Sequence, residues 1–214
     1  QRADLASAEA VLEYAQPTGV NTTGIRRVLE KLRGSKILRL YSKALDDEEL
    51  SNAWRFLLLD VLSTWEDRSA CELIAGMIHS SDQVLAAKAV EILGNSGFSH
   101  FVRELEPLAR NGPAEVLREA LIAVTRLTDG DPYWLKDVLE YSNSGHAAIR
   151  MGAAVALLEI RTEEAIERLL AMLDDEDWRV RVEVVEQVRL LHRVRAVPLL
   201  IERMDQETPR ISRD

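Results

Sequence analysis

The feature that most constrains this chain is a self-similarity with a period a little over thirty residues. A fixed period of that length marks stacked repeats and changes every later inference. The segments Val84–Ile92, Val116–Val124, Ile149–Leu157 and Val180–Val188 align without gaps, at offsets of 32, 33 and 31 residues. A further step of 31 toward the N-terminus sets Ala53 and Val61 under Val84 and Ile92, which makes five copies of one helix. A second helix follows each copy, and its last large apolar residue keeps the register at Ile78, Ala109, Tyr141, Leu173 and Met204. Apolar side chains within these second helices fall at helical spacing, as in Ile166, Leu169, Leu170 and Leu173, or Val197, Leu200, Ile201 and Met204. Breakers such as Gly94-Asn-Ser-Gly97, Asn111-Gly-Pro113 and Asp129-Gly-Asp-Pro132 separate the helices, and no stretch alternates as a strand would.

A lone helical hairpin cannot bury both of its apolar stripes, so neighbouring hairpins must stack and share one extended core. The expected fold is therefore all-α, a right-handed α-solenoid of stacked helical hairpins. Residues 1–21 read as an N-terminal capping helix, 22–46 as a degenerate, shortened repeat, 47–206 as five repeats, and 207–214 as a polar tail. A charge at Ala154 or Val185 is expected to loosen its own repeat and its neighbours first. Pro107 removes a backbone donor and is expected to kink or restart its helix.

The residues now carry a family resemblance. Asp175, Val180-Arg181, Val184-Val185, Val188 and then Ala196-Val-Pro-Leu-Leu200 resemble a HEAT repeat, well over 48–206 and weakly over 22–46. The pattern departs at Trp54, Leu85 and Leu117, where the Arg of Arg150 and Arg181 is expected, and only the last copy opens its second helix with Pro. The short period is similar to the bacterial HEAT-like subgroup that includes the phycobilin lyases. The resemblance implies a binding scaffold first. It also implies an alternative, a tetrapyrrole-attaching lyase or chaperone subunit in which Arg150, Arg181 or His192 would orient carboxylates. HEAT-type deoxyhypusine hydroxylases carry repeated His-Glu dipeptides for iron, and this chain has none.

The residues themselves offer little chemistry. His79, His100, His146 and His192 lie far apart, and none is followed by Glu or has another His one turn away, so no metal and no cofactor is expected. Cys71, the one cysteine, excludes an internal disulfide, points to a reducing, cytoplasmic setting and reads as a small packing residue. The acidic runs Asp46–Glu49 and Asp174–Asp177 precede first helices and read as caps. Catalytic residues are not assigned, and an enzyme is the less favoured reading. No apolar run reaches the roughly 20 residues of a membrane span. The chain opens at Gln1 rather than Met, as a processed product or an excised portion of a longer chain would.

Charge is uneven. The formal net charge is −9, yet residues 24–43 are strongly basic, with Arg26, Arg27, Lys31 and Arg33 as candidate contacts for an acidic partner, anionic lipid or nucleic acid. A HEAT-like nucleic-acid module needs a basic stripe through the whole fold. The acidic body disfavours it. Aromatic residues at positions other copies make polar are the remaining candidates for holding a protein or peptide: Trp54, expected near the solvent edge, Trp178, and the pair Tyr133 and Trp134. Leu199 makes the outer side of the last helix more apolar than Arg168 makes its counterpart. This end is therefore expected to continue into removed repeats, or to dock on a partner or a second copy.

Overall fold

The computed structural model describes residues 2–14, 21–47 and 49–190. It is 78% helical, with 12 α-helices and no strand among the described residues, an all-α solenoid as the period requires. The chain divides into two compact units at Leu127/Thr128.

The first unit holds α1 (Arg2–Tyr14), α2 (Asn21–Glu30), α3 (Ser35–Leu45), α4 (Asn52–Ser63), α5 (Arg68–Ala75), α6 (Gln83–Asn95), α7 (Val102–Asn111) and α8 (Ala114–Leu127). First helices stack in order, α2 on α4, α4 on α6 and α6 on α8. Second helices pack alongside them, α5 between α4 and α6, and α7 on α8, while α1 lies on α3. The second unit holds α9 (Leu135–Tyr141), α10 (Ala147–Ile160), α11 (Glu163–Ala171) and α12 (Trp178–Leu190). There α10 packs on α12, and α9 and α11 pack on α10 and on each other.

The residue before each first helix fixes the register. These residues are Ser51, Asp82, Pro113, His146 and Asp177, spaced 31, 31, 33 and 31. Three positions into each helix stand Trp54, Leu85, Val116, Ile149 and Val180, all buried. The gapless alignment read from sequence is therefore one residue out at its first step: Val84 is 63% exposed and Leu85 takes the place assigned to it. A pair of apolar residues opens both α6 and α8, and matching Val84 to Val116 slides one past the other. Gly94 marks the closest approach of α6 and α8, since a Cβ there would stand 2.6 Å from the Cβ of Ala123 on the neighbouring α8. The two backbones meet where only a glycine fits.

Two closures hold the turns before first helices. In one, a side chain of the connector accepts from the helix: Ser51 from the Trp54 N–H, Asp82 from the Val84 and Leu85 N–H groups, Asp177 from the Arg179 N–H. In the other, an arginine four positions into the helix donates back to a connector carbonyl. Arg150 reaches Ser144 at 2.8 Å, Arg181 reaches Asp175 at 2.7 Å, and Arg55 reaches Asp47 at 2.9 Å. The first copy thus does have its arginine, at Arg55 rather than at Trp54. The N-cap of α4 is Ser51 rather than a described residue of the acidic run after α3.

Second helices bury residues every fourth position: Ala70 and Ile74; Phe101, Leu105 and Ala109; Trp134 and Val138; Ala165 and Leu169. Where the first of these is aromatic, a 3₁₀ turn (Ser99–Phe101, Pro132–Trp134) precedes the helix. The restart expected at Pro107 does not occur, for α7 runs unbroken through it. Pro107 is on the exposed side, where water can bond the freed carbonyl. Ala154 is fully buried as expected, whereas Val185 is 50% exposed, because no described helix covers α12 as α12 covers α10.

Candidate functional site

The expectation that Trp54 and Trp134 present partner-binding rings is corrected: they are 5% and 2% exposed. Trp54 shares the interior register of Ile149, and Trp134 shares that of Ala165 and fills the start of its second helix. Each ring is core. Tyr133 and Trp178, by contrast, are 63% and 64% exposed. The Tyr133 ring stands edge-on to Trp134, with centroids 5.4 Å apart, which fixes a wet aromatic on a buried one.

Trp178 is not alone. Val182 and Val185 are 54% and 50% exposed, and the spacing 178, 182, 185 places all three along one stripe of α12. Its opposite side carries the buried Val180, Val184 and Val188. A helix apolar on both sides is expected of an element covered twice. Sequence reasoning found Trp178 but missed the two valines, because Val185 was read as core and Val182 was given no reading of its own. Leu199 lies outside the described residues, as do His192 and the last second helix.

Of the four basic candidates, two are spent within the fold. Arg26 bonds Glu30 at 2.7 Å and faces Asp60 at 3.5 Å, and Lys88 reaches Asp60 and Glu91, so that α2, α4 and α6 share one ladder of charge. Arg33 donates to the Thr64 carbonyl at 2.7 Å and lies over the Trp65 ring. Arg27 and Lys31 are exposed.

The residues suggested for holding carboxylates of a tetrapyrrole are also occupied. Arg150, buried, makes a two-pronged bond to Asp175 at 2.7 and 2.8 Å. Burial alone would raise the Asp175 carboxyl. The bonds from Arg150 and from the Asp177 N–H outweigh it and hold the group below its ordinary value. Asp177, half-buried, is held down to about 2 by the Arg179 side chain and backbone N–H. Arg181 is bonded to backbone carbonyls. A small polar cavity of about 470 Å³ adjoins this pair, lined by His146, Glu176 and Arg179 among others. Its charges are mixed. Cys71 is buried, and burial with the nearby Asp67 charge pushes its thiol up, which suits packing rather than nucleophilic attack.

Among the described residues no group of three His, Cys, Asp or Glu side chains gathers to hold a metal ion. No described helix is long and apolar enough to cross a membrane.

No curated protein matches this chain in sequence. Among solved structures, human deoxyhypusine hydroxylase in complex with glycerol is similar at 18% identity and a TM-score of 0.49, covering 95% of this chain and 91% of that one. Residues 134–214 match the family model described as HEAT repeats. That span includes α10, the Arg150–Asp175 bond and α12, so the match falls on the part of the chain where the sequence resemblance is fullest.

Proposed function

We propose that this chain is a non-catalytic protein-interaction scaffold or adaptor, and that the outer stripe of α12 is one of the surfaces it offers. The carrying observation is Trp178, Val182 and Val185, three large apolar side chains at least half exposed on one helix face. Leaving such groups in water forgoes about 25 cal/mol per Å² of burial, and an exposed tryptophan on a rigid helix is the usual anchor of an interface. HEAT repeats support the reading, since their helical surfaces commonly hold other proteins. Tyr133 supplies a second exposed ring in the same unit.

The experiment is co-purification of the tagged chain from its source cells, with the wild type beside Trp178→Ser/Val182→Ser. Both substitutions fall on exposed positions, so the helical circular dichroism is expected to stay unchanged. A partner recovered in stoichiometric amount with the wild type and lost with the variant supports the proposal. A partner retained equally by both removes α12 from it.

A further inference from the structure

The first unit carries a groove that no sequence motif announced. It lies between α1 and α3, with a volume of about 710 Å³ and a floor of Leu12, Leu40, Ala44 and Leu50. Such a volume is within the range of about 300–1,000 Å³ that suits a small ligand or a few side chains. All four floor residues are half-buried, and Ala8, fully buried and one turn before Leu12 on the same face of α1, pins that helix to the unit.

The rim is acidic in balance. Glu9 and Glu13, one turn apart on α1, face Asp46 and Asp47 at the end of α3, with Lys43 the lone cation. All four carboxylates are exposed, and Glu9, Glu13 and Asp46 make no ion pair with a described residue. Asp46 and Asp47 stand at the negative pole of α3, where a cation would be favoured and an anion adds to the field. An apolar floor inside a rim of four carboxylates and one lysine attracts one chemistry: a chain segment with spaced apolar side chains and flanking lysines or arginines.

We propose that the α1–α3 groove is a docking site for a basic amphipathic peptide segment of a partner protein, its apolar side chains on the Leu12–Leu40 floor and its cations against Glu9, Glu13, Asp46 and Asp47. This goes beyond the proposal for α12. It concerns another unit and stands or falls separately.

The test uses the full chain and a fluorescein-labelled Leu/Lys amphipathic peptide of about four helical turns, read by fluorescence anisotropy at about 50 mM salt. Saturable binding is expected, weakened at least about tenfold in Glu9→Lys/Glu13→Lys and weakened also in Leu40→Ala, with helical content unchanged. Trp178→Ser is expected to bind as the wild type does. Because any acidic protein attracts a basic peptide, Glu163→Lys/Glu164→Lys on α11 serves as the control, and it is expected to leave the affinity within about twofold. The proposal is overturned if both charge reversals weaken binding equally, if a Leu/Glu peptide binds as well as Leu/Lys, or if no saturable binding occurs. Loss confined to Trp178→Ser would assign the peptide to α12 instead and overturn the groove while sparing the α12 proposal.

Discussion

Breaking the Arg150–Asp175 bond is the sharpest probe of how one repeat holds the next. Arg150 belongs to α10 and Asp175 to the turn before α12, and their side chains are 7% and 8% exposed. Removing one partner of a well-buried pair costs about 3–5 kcal/mol, because the other charge stays buried. Here the pair borders a cavity of about 470 Å³ open to water, and Glu176 waits 3.4 Å from Arg150 as a substitute acceptor. We therefore expect Asp175→Ala to cost about 2–3 kcal/mol, below the fully buried figure. Arg150→Leu should cost a similar amount, as it strands Asp175. The double variant should cost less than the sum by at least about 1.5 kcal/mol, since the corresponding positions of α6 and α8 are already apolar, Ala86 and Leu117, and buried. Hydrogen exchange resolved along the chain is the assay: each single variant should speed exchange in α10 and α12 by about 30- to 150-fold, the double by much less than their product. The folded carboxyl titrates below its ordinary 3.8, so its contribution is present above that pH and lost as pH falls through the folded value. Wild type and Arg150→Leu should accordingly draw together as pH falls below 3.8 and converge only beneath the still lower folded value. Strict additivity at neutral pH would refute the coupling.

Two further outcomes follow from burial. Trp134→Ala should cost about 3–5 kcal/mol by emptying a core site, and Trp178→Ala should stay within about 0.5 kcal/mol in the isolated chain, both by urea melts; equal costs would contradict the assignment of one ring to the core and the other to solvent. Glu119 is mostly buried, and burial first, with the charges of Glu91 and Glu115, raises its carboxyl above the ordinary 4.5 despite Arg118. A raised carboxyl favours the folded state at low pH and loses that contribution as pH climbs through the folded value. Glu119→Gln should raise Tm by roughly 1–3 °C at pH 7 and by less near pH 4, as calorimetry would show.

The period was legible because stacked hairpins repeat their apolar pattern whether or not the residues are the same. Its phase was less so. Val84-Leu85 and Val116-Leu117 match equally well as pairs of apolar residues, and only the residue preceding each helix breaks the tie. Ser51 and Asp82 were the available signals, since oxygens that cap a helix mark its start better than its apolar stripe does. The one-residue slip carried Trp54 from core to surface. Trp134 was misplaced for a different reason: Tyr133-Trp134 follow Pro132 as an exposed turn would, and the 3₁₀ turn that directs one ring inward and the other outward follows from packing. The groove between α1 and α3 was invisible because its floor is drawn from three segments whose apolar residues look like ordinary core.

The two ways of closing a turn differ in which piece of chain owns the closing group. At α6 it belongs to the connector, as Asp82. At α10 it belongs to the helix, as Arg150, whose acceptor is a carbonyl any residue supplies. A hairpin opened by α10 could be grafted behind a foreign loop and bring its own fastening, whereas one opened by α6 would come unfastened unless the aspartate were moved with it. Repeats of one array are thus unequal as building blocks, and anyone shuffling them should cut ahead of Asp82 but has free choice ahead of Ala147.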